Sequence, residues 1–198
     1  MERVEQPQLV ILDRDGVINA DSDAFIKSPG EWHALPGSLE AIRALCEAGF
    51  DVVVATNQSG VGRGLFDIET LAAIHRRMRD AVQAAGGRLA GIYFCPHHPD
   101  DGCDCRKPRP GLFHQIARDF ARPLDGVAAI GDSARDLQAA EAVGARPILV
   151  RTGKGAATET AWPGDIEVFD DLAAAVQALL AETRFGDGQA DDLGNAGS

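Results

Sequence analysis

Short apolar runs alternate along the chain with longer segments in which apolar residues recur every three or four positions. The first run, residues 9–12, reads Leu-Val-Ile-Leu. Comparable runs follow at 51–55, 90–94, 127–130 and 147–150. Continuous runs of this length are typical of strands buried inside a parallel sheet. The pattern therefore predicts five core strands, and residues 166–169 are a possible sixth strand at the edge.

The segments between these runs have the spacing of helices. Helices are predicted from 38 to the glycine at 49, at 68–85, at 111–121, from 134 to 142 and at 171–182. Strands that alternate with helices predict βαβ units, so the expected fold is a single doubly wound α/β domain over residues 1–182, with a mostly parallel sheet. Residues 183–198 are rich in glycine, aspartate and asparagine and are predicted to form a disordered tail.

Composition narrows the class of protein. The 198 residues are 45% hydrophobic and 25% charged, which is typical of a soluble globular domain. The net charge of −11 argues against a nucleic-acid partner, because no basic surface is evident to neutralise phosphates. No apolar run reaches membrane-spanning length and the start does not resemble a signal peptide, so we expect a cytoplasmic protein with no membrane association. Nothing indicates a required protein partner, and we expect a monomer.

Polar side chains follow the predicted strands where their carboxyl ends should meet. They are Asp13 and Asp15 after the first strand, Thr56 and Asn57 after the second, Lys107 beyond the third and Asp132 after the fourth. Ligands of open α/β sheets bind at this edge. Carboxylates there can hold Mg²⁺, while a lysine and a hydroxyl can neutralise and orient phosphoryl oxygens. The arrangement predicts a phosphoryl-transfer site.

Each of these residues also has an ordinary structural interpretation. The first two aspartates could form a turn, Lys107 could be a surface charge, and Asp132 and Asp136 could be acids at a helix start. Their joint occurrence at successive strand ends favours catalysis. A non-catalytic phosphate-binding module stays open as an alternative, and a receiver-type signalling domain fits the sequence less well.

A loop rich in cysteine and histidine, residues 95–105, follows the third strand. It reads Cys-Pro-His-His-Pro-Asp-Asp-Gly-Cys-Asp-Cys. Three thiolates and one imidazole form a closed tetrahedral set typical of structural Zn²⁺. The chemistry alone does not decide between His97 and His98, and free thiols are the alternative. Cys46 lies beside Leu45 on the apolar face of a predicted helix and is expected in the core.

Four segments together resemble the motifs of the haloacid dehalogenase (HAD) superfamily of phosphatases, more narrowly its histidinol-phosphate and heptose-bisphosphate phosphatase branch. They read Asp-Arg-Asp-Gly-Val-Ile-Asn, Thr-Asn-Gln-Ser-Gly, Arg-Lys-Pro-Arg-Pro-Gly and Gly-Asp-Ser-Ala-Arg-Asp, within residues 8–155. The resemblance implies Asp13 as nucleophile, Asp15 as general acid and base, and Thr56 and Lys107 as phosphoryl stabilisers. It further implies Mg²⁺ held by the Asp13 carboxylate, the Asp15 carbonyl and Asp132.

The resemblance also bears on zinc and substrate. It implies a structural zinc held by Cys95, His97, Cys103 and Cys105, and substrate contacts from Arg106 and, more weakly, from Asn57 and Asp21. The segments between the motifs are too short for a separate cap domain, so specificity is expected in loops 19–31, 57–66 and 95–106.

Two substrates compete within the branch: histidinol phosphate, and D-glycero-D-manno-heptose 1,7-bisphosphate hydrolysed at C7 for the lipopolysaccharide core. The Pro-Gly after Arg109 and the Ser-Gly-Val-Gly-Arg-Gly-Leu-Phe segment resemble the heptose enzymes more closely, so the sugar bisphosphate is the expected substrate.

Overall fold

The computed structural model describes residues 8–186, and the side chains up to residue 183. Its described strands form one six-stranded parallel sheet in the order β3-β2-β1-β4-β5-β6. They are β1 (Gln8–Leu12), β2 (Phe50–Asn57), β3 (Gly91–Cys95), β4 (Ala128–Gly131), β5 (Arg146–Val150) and β6 (Glu167–Phe169). The five core strands and the edge strand are confirmed, with small shifts at their ends.

Six α-helices connect and follow the strands in the described part of the chain. They are α1 (Ser38–Glu47), α2 (Ile68–Ala84), α3 (Gly111–Asp119), α4 (Ala134–Glu141), α5 (Gly155–Ala161) and α6 (Leu172–Gly186). Two short 3₁₀ turns lie at Pro29–Glu31 and Pro99–Asp101. Helix α6 continues four residues beyond the predicted end at 182, and the rest of the predicted disordered tail lies outside the described residues. None of the described helices is both long and apolar enough to cross a membrane.

Alternate residues of the central strands enter two separate cores. Val10 and Leu12 of β1 pack with helices α1, α2 and α6, whereas Leu9 and Ile11 pack with α3 and α4. Side chains of a strand point to opposite faces in turn, so a strand covered by helices on both faces must be apolar throughout. This arrangement confirms the doubly wound α/β fold.

The strand order places a crevice beside β1. From β1 the chain moves outwards through β2 and β3, and it then returns to β4 on the other side of β1. The strand order reverses between β1 and β4, which is where open α/β sheets bind their ligands. Three long loops leave the same edge: 13–37, 58–67 and 96–110. None of them forms a separate cap domain.

Candidate active site and metal centre

A cleft of about 250 Å³ opens at the carboxyl edge of the sheet. Seven of the sequence-predicted residues line it: Asp13, Asp15, Asp21, Thr56, Asn57, Arg106 and Asp132. Lys107 lies directly beside it, with its ammonium 3.0 Å from Asp13 Oδ1. The fold therefore brings the predicted residues together, although they come from four separate segments of the chain.

Asp13 and Lys107 form a buried ion pair at the bottom of the cleft. The Lys107 ammonium also lies 2.5 Å from Asp136 Oδ1 and donates to the Ala55 carbonyl at 2.7 Å. Burial raises the pKa of Asp13 to about 6, against the lowering effect of Lys107. Burial also opposes the lysine's charge, but Asp13 and Asp136 outweigh it and raise the pKa of Lys107. The lysine therefore stays charged between two carboxyl groups.

Asp136 is a site residue that the sequence interpretation did not include. Its Oδ1 pairs with Lys107, and its Oδ2 accepts from the backbone N–H and the hydroxyl of Ser133 at 3.0 and 2.6 Å. Because it lies in the first turn of α4, the residue has the sequence appearance of an ordinary capping acid. A second aspartate four positions after Asp132 was the sequence feature that could have identified this residue.

Three carboxylates meet beside the crevice in a geometry that could hold a cation. One oxygen each of Asp13, Asp132 and Asp136 lies within 4.8 Å of the others. Burial raises the pKa of Asp132 to about 8, and the charge of Asp13 adds to the effect. Both oxygens of Asp136 are already engaged by Lys107 and Ser133, so Asp13 and Asp132 are the carboxylates left for a metal. Oxygen ligands of this kind suit Mg²⁺.

Asp15 is held by hydrogen-bond donors from three residues. Arg14, itself fully buried, donates to both oxygens at 2.8–3.0 Å, Asn19 to Oδ1 at 2.8 Å and Gln58 to Oδ2 at 2.9 Å. Burial opposes the charge of Asp15, but Arg14 and the amide donors outweigh it and lower its pKa. In this structure Asp15 is a firmly oriented carboxylate.

The two polar residues at the end of β2 have different surroundings. Thr56 is buried, and its hydroxyl oxygen accepts from the Gln58 amide at 2.9 Å. Asn57 exchanges two hydrogen bonds with the backbone of Lys107, both at 3.0 Å. The Asn57 side chain therefore fixes the loop that carries Lys107. Its predicted substrate contact stays a prediction.

Several positively charged side chains line the cleft. Arg63, Arg106, Arg135 and Lys154 line it, and sequence analysis had identified only Arg106. Burial lowers the pKa of Arg106, and the charge of Arg135 adds to this. The buried Nη1 atom of Arg106 has no hydrogen-bond partner among the described residues. Asp21 pairs with Lys154 at 3.0 Å at the rim. A cluster of this kind, in a chain of net charge −11, suits an anionic ligand.

The four predicted zinc ligands lie together in loop 96–110 and at the end of β3. The Sγ atoms of Cys95 and Cys105 lie 3.5 and 3.6 Å from that of Cys103, and His97 Nδ1 lies 3.6 Å from Cys95 Sγ and 3.2 Å from Cys105 Sγ. A tetrahedral zinc with bonds of about 2.3 Å to sulfur requires sulfur atoms about 3.8 Å apart. The separations are close to that value and far from the ~2.0 Å of a disulfide. These residues could hold a metal.

The two adjacent histidines have different surroundings. His98 accepts from the Asp100 backbone at 3.3 Å and caps the 3₁₀ turn Pro99–Asp101. His97 alone of the two belongs to the cluster of potential ligands. Cys46 is remote from this cluster: it is half-buried against the core, and its Sγ exchanges hydrogen bonds with the Arg88 backbone at 3.3 Å.

Comparison with known proteins gives consistent matches. Residues 104–175 match the family described as HAD-hydrolase-like. The D-glycero-beta-D-manno-heptose-1,7-bisphosphate 7-phosphatases of Bordetella bronchiseptica and Pseudomonas aeruginosa are 56% and 53% identical to the chain. These alignments cover 88% and 87% of this chain and 99% and 97% of the relatives.

Solved structures agree in fold. A crystal structure of D,D-heptose 1,7-bisphosphate phosphatase from B. bronchiseptica, complexed with magnesium and phosphate, matches with a TM-score of 0.86 and 56% identity over 88% of this chain and 99% of that one. The corresponding phosphatase from Burkholderia thailandensis matches with a TM-score of 0.70 and 47% identity over 88% and 99% of the two chains. This chain belongs to the D-glycero-beta-D-manno-heptose-1,7-bisphosphate 7-phosphatase family of HAD-like hydrolases.

Proposed function

We propose that this chain removes the C7 phosphate of D-glycero-beta-D-manno-heptose 1,7-bisphosphate in a Mg²⁺-dependent reaction through an aspartyl-phosphate on Asp13. The placement of Asp13 carries the proposal. Its carboxylate lies at the bottom of the cleft against Lys107, beside Asp132, with Asp15 two residues further on. Family membership makes the chain a phosphatase. The sugar bisphosphate is the substrate named for its relatives.

Asp13, Asp132 and the backbone carbonyl of Asp15 are the groups that would hold Mg²⁺. Bound there, the ion would neutralise charge on the phosphoryl oxygens. Its presence in the B. bronchiseptica relative, together with phosphate, supports this assignment. Asp136 contributes through Lys107: its charge keeps the lysine protonated and fixed against Asp13.

In the first half-reaction, an oxygen of Asp13 bonds to phosphorus while the bond from phosphorus to the C7 oxygen breaks. Asp15 donates its proton to the departing oxygen. The negative charge of the bound phosphate favours the protonated form of Asp15, which offsets the effect of Arg14. Since the Thr56 oxygen already accepts from Gln58, its hydroxyl proton is available for a phosphoryl oxygen.

In the second half-reaction, water attacks phosphorus, and the bond from phosphorus to Asp13 breaks. Asp15, now a carboxylate, accepts the proton of the attacking water. The donors of Arg14, Asn19 and Gln58 orient it for this step. Inorganic phosphate and the original Asp13 carboxylate are released, so the enzyme returns to its starting state.

The positively charged residues of the cleft support a second phosphate on the substrate. Arg63, Arg106 and Arg135 line the cleft, and the buried Nη1 of Arg106 has no partner among the described residues. A phosphate at C1 would satisfy that donor and relieve the repulsion among the guanidinium groups. Histidinol phosphate carries an ammonium group and no second phosphate, so it suits this surface poorly.

The Cys95, His97, Cys103 and Cys105 cluster is the proposed structural zinc site. Four protein ligands close the tetrahedron and leave no open position for a substrate. Closing this loop on a metal fixes Arg106 and Lys107, which follow Cys105 directly in the chain.

The reaction can be followed by ³¹P NMR with Mg²⁺ and heptose 1,7-bisphosphate. The C7 monoester resonance should disappear as inorganic phosphate grows, while the C1 resonance persists. Asp13→Asn should stop the reaction. Loss of the C1 resonance instead would overturn the regiochemistry. An active Asp13→Asn variant would overturn the aspartyl-phosphate route, and a wild type inert to phosphate esters would favour a non-catalytic binding module.

A further inference from the structure

A buried hydrogen-bond chain leads from Trp32 to the carboxylate of Asp15. The indole Nε1 of Trp32 donates to Asn19 Oδ1 at 2.9 Å, and Asn19 Nδ2 donates to Asp15 Oδ1 at 2.8 Å. Trp32 is 3% exposed and Asn19 is fully buried. Neither residue lines the cleft, and the hydrogen bonds connect both to it through Asp15.

The indole determines which way the Asn19 amide points. An indole can donate but cannot accept, so only the oxygen end of the amide can face it. The amide NH₂ then faces Asp15, and it also donates to the Ala20 carbonyl at 2.9 Å. A reversed amide would put two donors together at Trp32 and an oxygen against the Asp15 carboxylate. Both contacts are costly in a buried site.

Backbone hydrogen bonds bring Trp32 and Asp15, the two ends of this series of hydrogen bonds, close together. Gly16 N donates to the Asn19 carbonyl at 2.7 Å, which closes the turn after Asp15. Ala20 N donates to the His33 carbonyl at 3.0 Å, and Leu35 N donates to the Ile18 carbonyl at 2.9 Å. The segment around Trp32 is therefore paired with the segment around Asn19, and it presents the indole at a fixed place.

We propose that Trp32 is a positioning residue for the acid–base carboxylate of Asp15, acting through Asn19. The proposal rests on the proposed function, in which Asp15 protonates the leaving oxygen. Arg14 and Gln58 hold Asp15 from other directions, and Gln58 is confined to Oδ2. Without the indole N–H, the Asn19 amide loses the contact that fixes its oxygen, so its NH₂ group is held less firmly against Asp15 Oδ1. The carboxyl group then no longer points reliably at the oxygen it protonates.

Substrates with different leaving groups separate this role from simple packing. A sugar alkoxide needs a proton to depart, whereas 4-nitrophenolate leaves without one. For Trp32→Phe we expect kcat on heptose 1,7-bisphosphate to fall about tenfold, within the contribution of a general acid, with KM changed less than about twofold. The single-turnover burst of 4-nitrophenolate from 4-nitrophenyl phosphate reports the first half-reaction alone, and its rate should change less than about twofold. Trp162→Phe, at the other tryptophan of the chain, is the matched control and should leave both rates unchanged.

Two further measurements distinguish the loss of the indole N–H from the loss of packing in Trp32→Phe. In the Trp162→Phe background, replacing the remaining tryptophan biosynthetically with benzothienylalanine keeps the ring shape and removes only the N–H. This protein should show the same selective loss. Adding Trp32→Phe to Asn19→Ala should cause little further loss of kcat, because the indole acts through that amide.

An equal slowing of the 4-nitrophenolate burst and of turnover on the sugar bisphosphate would overturn the proposal, as would full activity of the benzothienylalanine protein or additive effects in the double variant. Any of these results would make Trp32 a core residue only. A wild type that releases no phosphate from the sugar bisphosphate would overturn the proposed function itself, and this result is distinguishable because it precedes any variant.

Discussion

Two glycines create the space that Asp132 occupies. A Cβ atom at Gly16 would lie 2.1 Å from Asp132 Oδ2, and one at Gly153 would lie 2.2 Å from the same atom. Both residues have positive φ, 80° and 59°. Steric room and backbone conformation therefore both require glycine beside the proposed magnesium ligand.

Gly16→Ala should cost stability and activity together. A left-handed backbone conformation costs a non-glycine residue about 1–2 kcal/mol. In addition, the methyl group should displace the Asp132 carboxylate, and a shift near 1 Å in an active site can lower the rate about a hundredfold. Urea unfolding and phosphate-release assays measure the two effects.

Gly49→Ala is the matched control, because Gly49 has φ 86° and no atom within 4 Å of its Cβ position. It should lose comparable stability and keep its activity. Similar activities of the two alanine variants would contradict this account of the Asp132 position.

His75 makes the folded state sensitive to acid. The residue is 7% exposed, packs edge-on against Phe94 at 5.3 Å, and has a buried Nε2 without a partner among the described residues. Burial lowers its pKa from 6.5 to about 3, Arg14 and Arg79 add to the lowering, and Asp15 opposes it. The folded protein therefore holds this imidazole neutral.

The contribution of His75 to the free energy of unfolding should decrease as the pH falls below about 6.5, whereas the raised pKa values of Asp13 and Asp132 contribute with the opposite sign. The unfolded chain then binds a proton at His75, whereas His75 of the folded chain stays neutral down to about pH 3. One such proton contributes a slope of about 1.4 kcal/mol per pH unit. Urea unfolding between pH 4 and 7 should show the free energy of unfolding of His75→Leu rising relative to that of the wild type as the pH falls, while that of the exposed His114→Leu should not. An equal pH dependence of the free energy of unfolding in all three proteins would refute this role of His75.

At the scale of elements, the cysteine-rich loop is hydrogen-bonded to loop 58–67 on one side and to the segment that carries Lys107 and Arg109 on the other. Gly62 N, in loop 58–67, donates to the Pro96 carbonyl at 2.8 Å, and a Cβ at Gly62 would lie 2.3 Å from the His98 nitrogen. On the other side, the Arg109 guanidinium donates to the Cys103 carbonyl at 2.9 Å. The loop that carries Arg63 and the segment that carries Lys107 thus both depend on the cysteine-rich loop.

Cys103→Ser should lose the bound metal and most of the activity while the sheet stays folded. The loop has little apolar surface of its own, so metal binding supplies its folding energy. Loss of such support around an active site lowers activity about 10–100-fold. Elemental analysis, circular dichroism and phosphate release measure the three properties.

Cys46→Ser is the control, because that thiol lies outside the cluster. It should retain metal and activity. A metal-free Cys103→Ser protein with full activity would refute the positioning role of the loop.

The sequence predicts long, regular elements better than short ones. The core strands carry continuous apolar runs, so their identity follows from the pattern alone. Helix α5, Gly155–Ala161, was missed because Gly155 is its one buried residue and no apolar face marks it. The 3₁₀ turns at Pro29–Glu31 and Pro99–Asp101 bury no residue and give no periodic signal either.

At the scale of the whole molecule, strand order explains which site residues could be found from sequence. Asp13 and Asp132 follow strands directly and Thr56 lies at the end of β2, so the parallel sheet carries them to one edge. Asp136 and Arg135 lie on a helix start, where acids and exposed arginines are common for other reasons. Their contribution depends on tertiary distances such as the 2.5 Å from Asp136 to Lys107.

The choice between His97 and His98 as the proposed zinc ligand also required the three-dimensional structure. Both histidines can ligate zinc, and they are adjacent in the chain. Only the folded loop shows one facing the thiols and the other capping a turn.

The central claim is that the cleft is built for a sugar bisphosphate, and one comparison tests it most directly. Phosphate release with Mg²⁺ should be measured on heptose 1,7-bisphosphate and histidinol phosphate side by side. We predict a kcat/KM at least about a hundredfold higher for the bisphosphate, equivalent to about 2.7 kcal/mol of transition-state discrimination. An equal or reversed preference would contradict the assignment of Arg63, Arg106 and Arg135 to a second phosphate.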